Sequence, residues 1–284
     1  MQDTPTSLPS EISSMVRDGL ILLGDDFNRE QLKLWYLQEQ EAFYIDDSGN
    51  SDDDPWYAYM RHVNTLLGFA FVEKEPAPPR SVLILGPGSG KEIIEFAYKY
   101  PGCALNFLEA SSNFQNELRK RFPDSNIVVP EYTGDINLPD SSQDVVCAFS
   151  VLHHMPNVSK VLAEVGRVMR SGGLLMVREP CSSMGIWGLP RSATPNERGI
   201  SRSLMIESAK SAGFSCEYQP IPIIFEPINK ILKKTIGFRF IPFSLLYRAD
   251  RILSWILSFN DSYWRDTLLK KLGPSSYFYL FRRN

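Results

Sequence analysis

The sequence predicts an α/β fold with a mostly parallel sheet that is covered by helices on both faces. The first observation is a strand, a glycine loop and a helix in succession. Residues 81–90 are SVLILGPGSG, and Ile93, Ile94 and Ala97 then recur at helical spacing. The second is that short apolar runs alternate with amphipathic segments as far as residue 180. Strands that alternate with helices in this way form a parallel sheet with two covered faces.

The loop after the first strand carries glycine at positions 86, 88 and 90. Glycine is needed where a backbone turns sharply and approaches a ligand, because a Cβ atom would clash there. The helix that follows offers unpaired backbone N–H groups and the positive end of its dipole. This end of the strand is therefore predicted to bind a polar or anionic ligand.

Composition limits the class of protein. The chain has 284 residues and a net charge of −3, which argues against a general nucleic-acid binder. Its four cysteines lack CxxC or CxxH spacing, so we expect neither structural zinc nor a disulfide framework, and no other metal site is predicted. The sequence shows no signal peptide and no apolar run of about 18 residues, so we expect a cytoplasmic protein without a transmembrane segment.

Polar residues follow the later strands. The predicted second strand ends in Glu109, which lies 19 residues beyond Gly90. In nucleotide-binding α/β domains, an acid at about that distance accepts hydrogen bonds from ribose hydroxyls. Asp135 follows the third strand, and the fourth ends at Ser150 and the pair His153 and His154.

Taken together, these features resemble those of the class I S-adenosylmethionine-dependent methyltransferases. The motifs that carry the resemblance are VLILGPGSG, the acid in NFLEA, GDINLPDSSQDVV, SVLHHM and SGGLLMV, in that order within about residues 80–180. A nicotinamide dehydrogenase more usually shows G-x-G-x-x-G, where this chain has GPGSGK. The resemblance implies a Rossmann-like, doubly wound, mostly parallel sheet of seven strands and S-adenosyl-L-methionine as the cofactor.

The resemblance also implies a set of cofactor contacts. Glu109 would bind the ribose hydroxyls, Asp135 the adenine amine, and Ser150 would begin the loop that faces the methionine moiety. Ile136 would pack on the adenine ring. The predicted cofactor-binding residues are Leu85, Gly86, Pro87, Gly88, Gly90, Glu109, Ala110, Ser111, Asp135, Ile136 and Ser150.

Methyl transfer requires an acceptor held in line with the electrophilic methyl group. An acceptor hydroxyl of high pKa also needs a general base, for which His154 and Glu179 are the candidates. Tyr57 and Tyr59 closing over the cofactor, and a salt-bridged loop at residues 196–198, are alternatives. The predicted substrate-binding residues are Tyr57, Arg61, His62, His153, Arg178, Arg191, Asn196 and Arg198.

Four segments are predicted. Residues 1–78 form an N-terminal helical cap, 79–225 the cofactor-binding core, 226–274 a helical insertion, and 275–284 the last strand. The insertion is apolar and carries nine bases against four acids, whereas residues 1–60 carry 13 acids and three bases. It is either a lid on the oppositely charged cap or a basic amphipathic surface for peripheral contact with anionic lipid. We favour the lid, because apolar helix faces are usually core.

These observations predict a methyltransferase that acts on a small molecule. The motif REPCSSMGxW…NERG resembles that of methyltransferases acting on surface sugars or secondary metabolites. The chain lacks the N-P-P-Y-type motif that accompanies methylation of amide or base nitrogen in this family. We therefore expect transfer to a hydroxyl oxygen of a sugar-containing or secondary metabolite. N- or C-methylation and a non-catalytic cofactor-binding subunit are the alternatives.

Overall fold

The computed structural model describes residues 10–45, 55–183, 196, 198–224 and 243–284. The strands in this part of the chain are β1 (Ser81–Leu85), β2 (Ala104–Leu108), β3 (Asn126–Val128), β4 (Gln143–Phe149), β5 (Met169–Pro180), β6 (Phe214–Cys216), β7 (Ile221–Ile223) and β8 (Ser276–Arg283).

These eight strands form one sheet of order β3-β2-β1-β4-β5-β8-β6, in which β7 also pairs with β8. The pairs from β3 to β5 are parallel, whereas β8 is antiparallel to β5, β6 and β7. Leu85 lies opposite Leu108 on one side and Ala148 on the other, so the carboxyl ends of β1, β2 and β4 meet at one edge. The predicted mostly parallel α/β fold is confirmed.

The sequence of residues 214–225, which contains two prolines, predicts a single sixth strand, but the structure has two short strands there, β6 and β7. Cys216 lies opposite Phe281, and Ile221 lies opposite Phe278. The four residues 217–220 between them therefore span only two positions of β8, residues 279 and 280. Pro220 stands in this step and has no N–H to donate to a ladder. The sheet therefore has one strand more than the sequence predicted.

The helices are α1 (Ser10–Arg17), α2 (Arg29–Ile45), α3 (Pro55–Asn64), α4 (Ala70–Val72), α5 (Ile94–Lys99), α6 (Ser112–Arg121), α7 (Val158–Val168), α8 (Arg202–Ser211), α9 (Phe243–Leu257) and α10 (Leu268–Lys271). A π-helical turn, Thr65–Phe69, joins α3 to α4, and 3-10 turns lie at Lys91–Ile93 and Leu152–His154. Buried residues of α7 and α8 pack on one face of the sheet, and those of α3 and the π-helical turn on the other. Within the described ranges, no helix has the length and apolar character needed to cross a membrane.

A buried carboxylate joins the insertion helix to the N-terminal helices. The hydroxyl of Tyr59 on α3 donates to Oδ2 of Asp250 on α9 at 3.1 Å. The backbone N–H of Ile224 donates to Oδ1 of Asp250 at 2.9 Å. Burial raises the pKa of the Asp250 carboxyl. Helix α9 therefore packs on α3, while the lid interpretation and the boundaries of the four segments stay predictions.

Candidate functional site

A cavity of about 500 Å³ lies at the carboxyl ends of β1, β2 and β4. Its walls are the loops that follow these strands, together with side chains of α2. The strand order reverses between β1 and β4, and open α/β sheets bind ligands at such a switch point. The fold thus places the predicted ligand loops around one cavity.

The three glycines of the first loop all have positive φ, at +52° for Gly86, +55° for Gly88 and +76° for Gly90. A Cβ atom on Gly86 would lie 2.2 Å from Cγ2 of Val151, and one on Gly90 2.7 Å from a ring carbon of Phe122. At Gly88, a Cβ atom would meet no heavy atom of the described chain within 4 Å. Gly86 and Gly90 therefore serve packing, whereas Gly88 leaves open space beside the cavity. The helix that follows is short, with a 3-10 turn before the six residues of α5.

Glu109 connects the end of β2 to the glycine loop. The backbone N–H of Gly88 donates to its Oε2 at 3.0 Å, and the N–H of Ser111 donates to its Oε1 at 2.8 Å. The carboxyl group is buried, which raises the pKa of Glu109 to about 7 although these N–H groups oppose the rise. An acceptor group thus lies where the predicted ribose contact requires it.

Ten of the eleven predicted cofactor residues line the cavity, and Ile136 does not. Ile136 is buried in the hydrophobic core with α7, and its packing on an adenine ring stays a prediction. Asp135 lines the cavity and is paired with Lys160, whose Nζ lies 2.8 Å from Oδ1. Its hydrogen bond with Lys160 lowers the pKa of Asp135.

Ser150 holds an unusual backbone conformation beside the cavity, with φ at +56°. Its N–H donates to the carbonyl oxygen of Arg178 at 2.7 Å, and its Oγ accepts from Nη2 of Arg178 at 3.1 Å. A non-glycine residue in the left-handed region is strained and persists only where neighbouring contacts fix it. The neighbouring strand β5 therefore determines the shape of this wall.

Arg178 lines the cavity, but its guanidinium group is committed to contacts within the chain. Nη1 and Nη2 lie 2.6 and 3.0 Å from the two carboxylate oxygens of Glu92, and Nη1 also donates to Oδ1 of Asn64 at 2.9 Å. Arg178 is buried. Arg178 therefore joins β5, α3 and the turn after the glycine loop, while its contact with substrate stays a prediction.

Glu179 does not line the cavity, and both of its oxygens are occupied. Oε1 accepts the backbone N–H groups of Val151 and Leu152 at 2.8 and 2.7 Å, and Oε2 lies 2.7 Å from Nδ1 of His153. The side chain is only 1% exposed. These contacts make Glu179 a positioning residue for the turn after β4, while its role as a general base stays a prediction that this placement does not favour.

The two neighbouring histidines have different surroundings. His153 lines the cavity but is buried against Glu179, so its predicted substrate contact is limited by that pairing. His154 also lines the cavity, and its Nδ1 lies 2.9 Å from Oε2 of Glu39 on α2. Nε1 of Trp35 donates to the backbone carbonyl of His154 at 2.7 Å. His154 is therefore the predicted base that the structure places at the cavity beside a carboxylate.

Arg198 was predicted to bind substrate, and the structure buries it completely. Its guanidinium group donates to the backbone carbonyls of Leu23, His153, Met155 and Pro156 at 2.8 to 3.1 Å. Burial lowers its pKa to about 10. Arg198 fixes the turn that carries the two histidines and does not line the cavity.

The other predicted substrate residues lie elsewhere. Arg61, His62 and Asn196 are not among the cavity residues. His62 packs edge-on against Tyr247 of α9 at 6.0 Å between ring centroids, and Nδ2 of Asn196 donates to Oε1 of Gln38 at 2.8 Å. The structure therefore places these three residues away from the cavity, and substrate contact by them stays a prediction.

Two alternatives remain from the sequence: closure of Tyr57 and Tyr59 over the cofactor, and a salt-bridged loop at residues 196–198. Tyr59 is buried against Asp250, so it does not close over the cavity. The side chain of Tyr57, and Arg191 and residue 197 altogether, lie outside the described parts of the chain.

The sequence predicts an N-terminal helical cap, but not which residues of α2 line the cavity, nor the part played by Glu92. The cavity residues from α2 are Trp35, Tyr36, Glu39 and Gln40. Their spacing marks one helix face, but nothing local indicates which loop this face covers. Among the described residues, no group of three His, Cys, Asp or Glu side chains is arranged to hold a metal ion.

The residues around the cavity fit S-adenosylmethionine. Open space at Gly88 admits a ligand against the loop, and the Glu109 carboxylate at the end of β2 can accept from ribose hydroxyls. Asp135 and Ser150 complete the rim on the side of β4. Fold and site together define an α/β protein built to bind this cofactor.

Comparison with known proteins identifies the family. A family model for the methyltransferase domain matches residues 83–177, which run from β1 into β5. Thiol S-methyltransferase TMT1B of Rattus norvegicus is 30% identical over 166 aligned residues, with 52% of this chain and 67% of the relative covered. The chain belongs to the class I S-adenosylmethionine-dependent methyltransferases, and its cofactor is S-adenosyl-L-methionine.

Two further similarities extend the comparison. Sarcosine/dimethylglycine N-methyltransferase of Halorhodospira halochloris is 29% identical over 136 residues, with 46% of this chain and 48% of that protein covered. The solved structure of the (4+2)-cyclase SpnF aligns with a TM-score of 0.53 at 14% identity, with 89% of this chain and 94% of that chain covered. The second similarity shows the fold alone, since one fold hosts many reactions.

Proposed function

We propose that this methyltransferase acts on a small-molecule thiol and that His154 is its general base. The observation that carries the proposal is the contact of 2.9 Å between Nδ1 of His154 and Oε2 of Glu39, in a ring that lines the cavity. A carboxylate beside Nδ1 favours the tautomer with its proton on Nδ1, so Nε2 is the nitrogen that accepts a proton.

Sulfur is favoured over a sugar hydroxyl for two reasons. A free thiol has a pKa near 8.5, which a histidine base can match, whereas an alkyl hydroxyl titrates far above that range. The relative TMT1B of Rattus norvegicus, 67% of whose length the alignment covers, is a thiol S-methyltransferase. The oxygen acceptor predicted from the sequence is retained as the second candidate, because an oriented histidine is the group that an acidic hydroxyl such as a phenol needs.

The residues of the chain have separate roles in this proposal. The glycine loop, Glu109 and Asp135 hold S-adenosylmethionine, which supplies a methyl group on a positively charged sulfur. His154 takes the proton from the acceptor, and Glu39 stabilises the resulting imidazolium charge. Glu179 keeps the backbone turn in place, and α2 shields the cavity from water.

The test is methyl transfer by the purified chain to three acceptors of matched size: an alkanethiol, a phenol and an alkylamine. Formation of S-adenosylhomocysteine is followed at pH 7 to 9. We expect the thiol to be methylated fastest, and methylation to be lost in His154→Ala. His62→Ala is the matched control, since this histidine lies outside the cavity.

Other rankings of the three methylation rates would favour other functions. A phenol that is methylated while the thiol is not would establish the second candidate. Methylation of the amine alone would place the chain with the N-methyltransferases and overturn both. Bound cofactor without transfer to any class of acceptor would support the non-catalytic alternative.

A further inference from the structure

Helix α9 turns its apolar side chains outward. Among the helix side chains that the structure describes, the buried ones are those of Leu246, Asp250 and Ser254, spaced four residues apart. The opposite side carries large apolar residues, among which Trp255 is 78% exposed and Phe259, just beyond the helix, is 82% exposed. The exposed residues of this side are Leu245, Arg248, Ile252, Trp255, Ile256 and Phe259. A helix on a globular protein usually buries such an apolar stripe.

Polar contacts fix this orientation. Oδ1 of Asp250 accepts from the N–H of Ile224 at 2.9 Å and from Oγ of Ser254 at 3.1 Å, and Oδ2 accepts from Tyr59 at 3.1 Å. Rotation of the helix to bury its apolar side would expose Asp250 and break the two hydrogen bonds that its carboxylate accepts from outside the helix, those from Ile224 and Tyr59. The outward position of the apolar side is thus built into the fold.

The apolar side continues onto α10. Nδ2 of Asn260 donates to the backbone carbonyl of Leu269, which brings the end of α9 beside α10. Leu269 and Leu272 are both exposed, with Lys271 between them in the sequence. We call the exposed residues of the two helices the α9–α10 face.

This face lies in the basic part of the chain. Residues 226–274 carry nine bases and four acids, and Arg248 is exposed among the apolar residues of α9. Aromatic and aliphatic side chains interspersed with bases are the pattern of helices that lie in the interface of an anionic membrane. We propose that the α9–α10 face binds the surface of a membrane that contains anionic lipid.

A second copy of the chain is a poorer occupant. A two-fold interface through this face would bring the same surface of two copies together, and with it two copies each of the bases Arg248 and Lys271. Like charges that meet across an interface oppose association. Anionic headgroups would instead be attracted to both.

The test is flotation of the full chain with vesicles of phosphatidylcholine, with or without about one third phosphatidylserine. We expect binding to the anionic vesicles that weakens as salt rises. Trp255→Ser/Phe259→Ser should lower the partition coefficient by about tenfold or more. Arg248→Gln should lower it about fivefold, as for one basic residue near an anionic surface. Tyr98→Ser/Leu20→Ser is the matched control, since both residues are exposed on other elements.

Three results would overturn the proposal. These are no binding to anionic vesicles at low salt, equal binding to neutral vesicles, and an equal loss of binding in the control variant. Sedimentation velocity distinguishes the remaining occupant, because self-association that disappears in Trp255→Ser/Phe259→Ser would assign the face to a second copy. All the substituted side chains are exposed, so the variants should keep the thermal unfolding midpoint of the parent.

Discussion

Nδ1 of His154 lies 2.9 Å from Oε2 of Glu39, although 115 positions separate the two residues in the chain. The contact joins the turn after β4 to α2, an element outside the sheet. The tautomer of the proposed base is thus determined by a helix that covers the cavity. A buried carboxylate held beside imidazole also stabilises the charge that the ring gains with a proton.

The first prediction concerns this pair. His154→Ala should lower kcat for a thiol or phenol by about a hundredfold or more, the usual contribution of a general base. Glu39→Gln should have a smaller effect, of about tenfold, because the ring remains but loses its oriented proton. Initial rates over a pH series measure both effects, and calorimetry should show unchanged affinity for S-adenosylhomocysteine. An unaltered pH–rate profile in both variants would rule out this base.

The second prediction follows from the pKa of Glu109, which burial raises to about 7. Ribose hydroxyls donate to the ionised carboxylate, so the proton must leave before the contact forms. The affinity for S-adenosylhomocysteine should therefore fall as pH decreases through 7, by about tenfold between pH 8 and pH 6. Calorimetric titration of the wild type and of Glu109→Gln measures this. Glu109→Gln should bind S-adenosylhomocysteine weakly at both pH 8 and pH 6, because the glutamine does not titrate and so adds no pH dependence to the affinity.

The same carboxyl group also affects the stability of the protein without ligand. Since its pKa in the fold lies above the ordinary value of 4.5, the folded state binds the proton more tightly than the unfolded state. The contribution of Glu109 to the free energy of unfolding should therefore decrease as pH rises from about 4.5 to 7. Urea unfolding of the wild type and Glu109→Gln separates this contribution from other groups, and parallel pH curves would contradict it.

Much of the fold was predictable because its signals are local. A short apolar run before GPGSG, an acid 19 residues beyond Gly90 and SGGLLMV after an amphipathic helix each define an element within a few residues. Parallel pairing then brings the carboxyl ends of β1, β2 and β4 to one edge, where ten of the eleven predicted cofactor residues lie. The split between β6 and β7 depends on pairing with β8, which is distant in the sequence.

The roles of the charged residues were not predictable, because they depend on partners far along the chain. Arg178 resembles a substrate-binding arginine until its contacts with Glu92 and Asn64 are known. Arg198 likewise binds four carbonyls from two distant loops. Residue type indicated that a charge would be important, but only the fold determines whether that charge faces a ligand or the backbone.

The third prediction tests the positioning role of Glu179. Glu179→Gln keeps the shape of the side chain but removes the charge that accepts the N–H groups of Val151 and Leu152. We expect the free energy of unfolding to fall by about 1 to 3 kcal/mol, together with weaker binding of S-adenosylhomocysteine. Urea unfolding and calorimetry are the measurements. A variant of full stability and normal cofactor affinity that had lost methyl transfer alone would restore Glu179 as the base.

The fourth prediction concerns the anchor between α3 and α9. Tyr59→Phe removes the donor to Oδ2 of Asp250 and leaves a buried carboxylate oxygen short of one hydrogen bond. We expect a loss of about 1 to 3 kcal/mol in the free energy of unfolding, and a loss in the same range for Asp250→Asn. The double variant should cost less than the sum of the two single ones, because Tyr59→Phe already removes the contact that Asp250→Asn weakens. Additive effects in urea unfolding would mean that Tyr59 and Asp250 do not stabilise one another, and that α9 is held to the N-terminal helices by apolar packing alone.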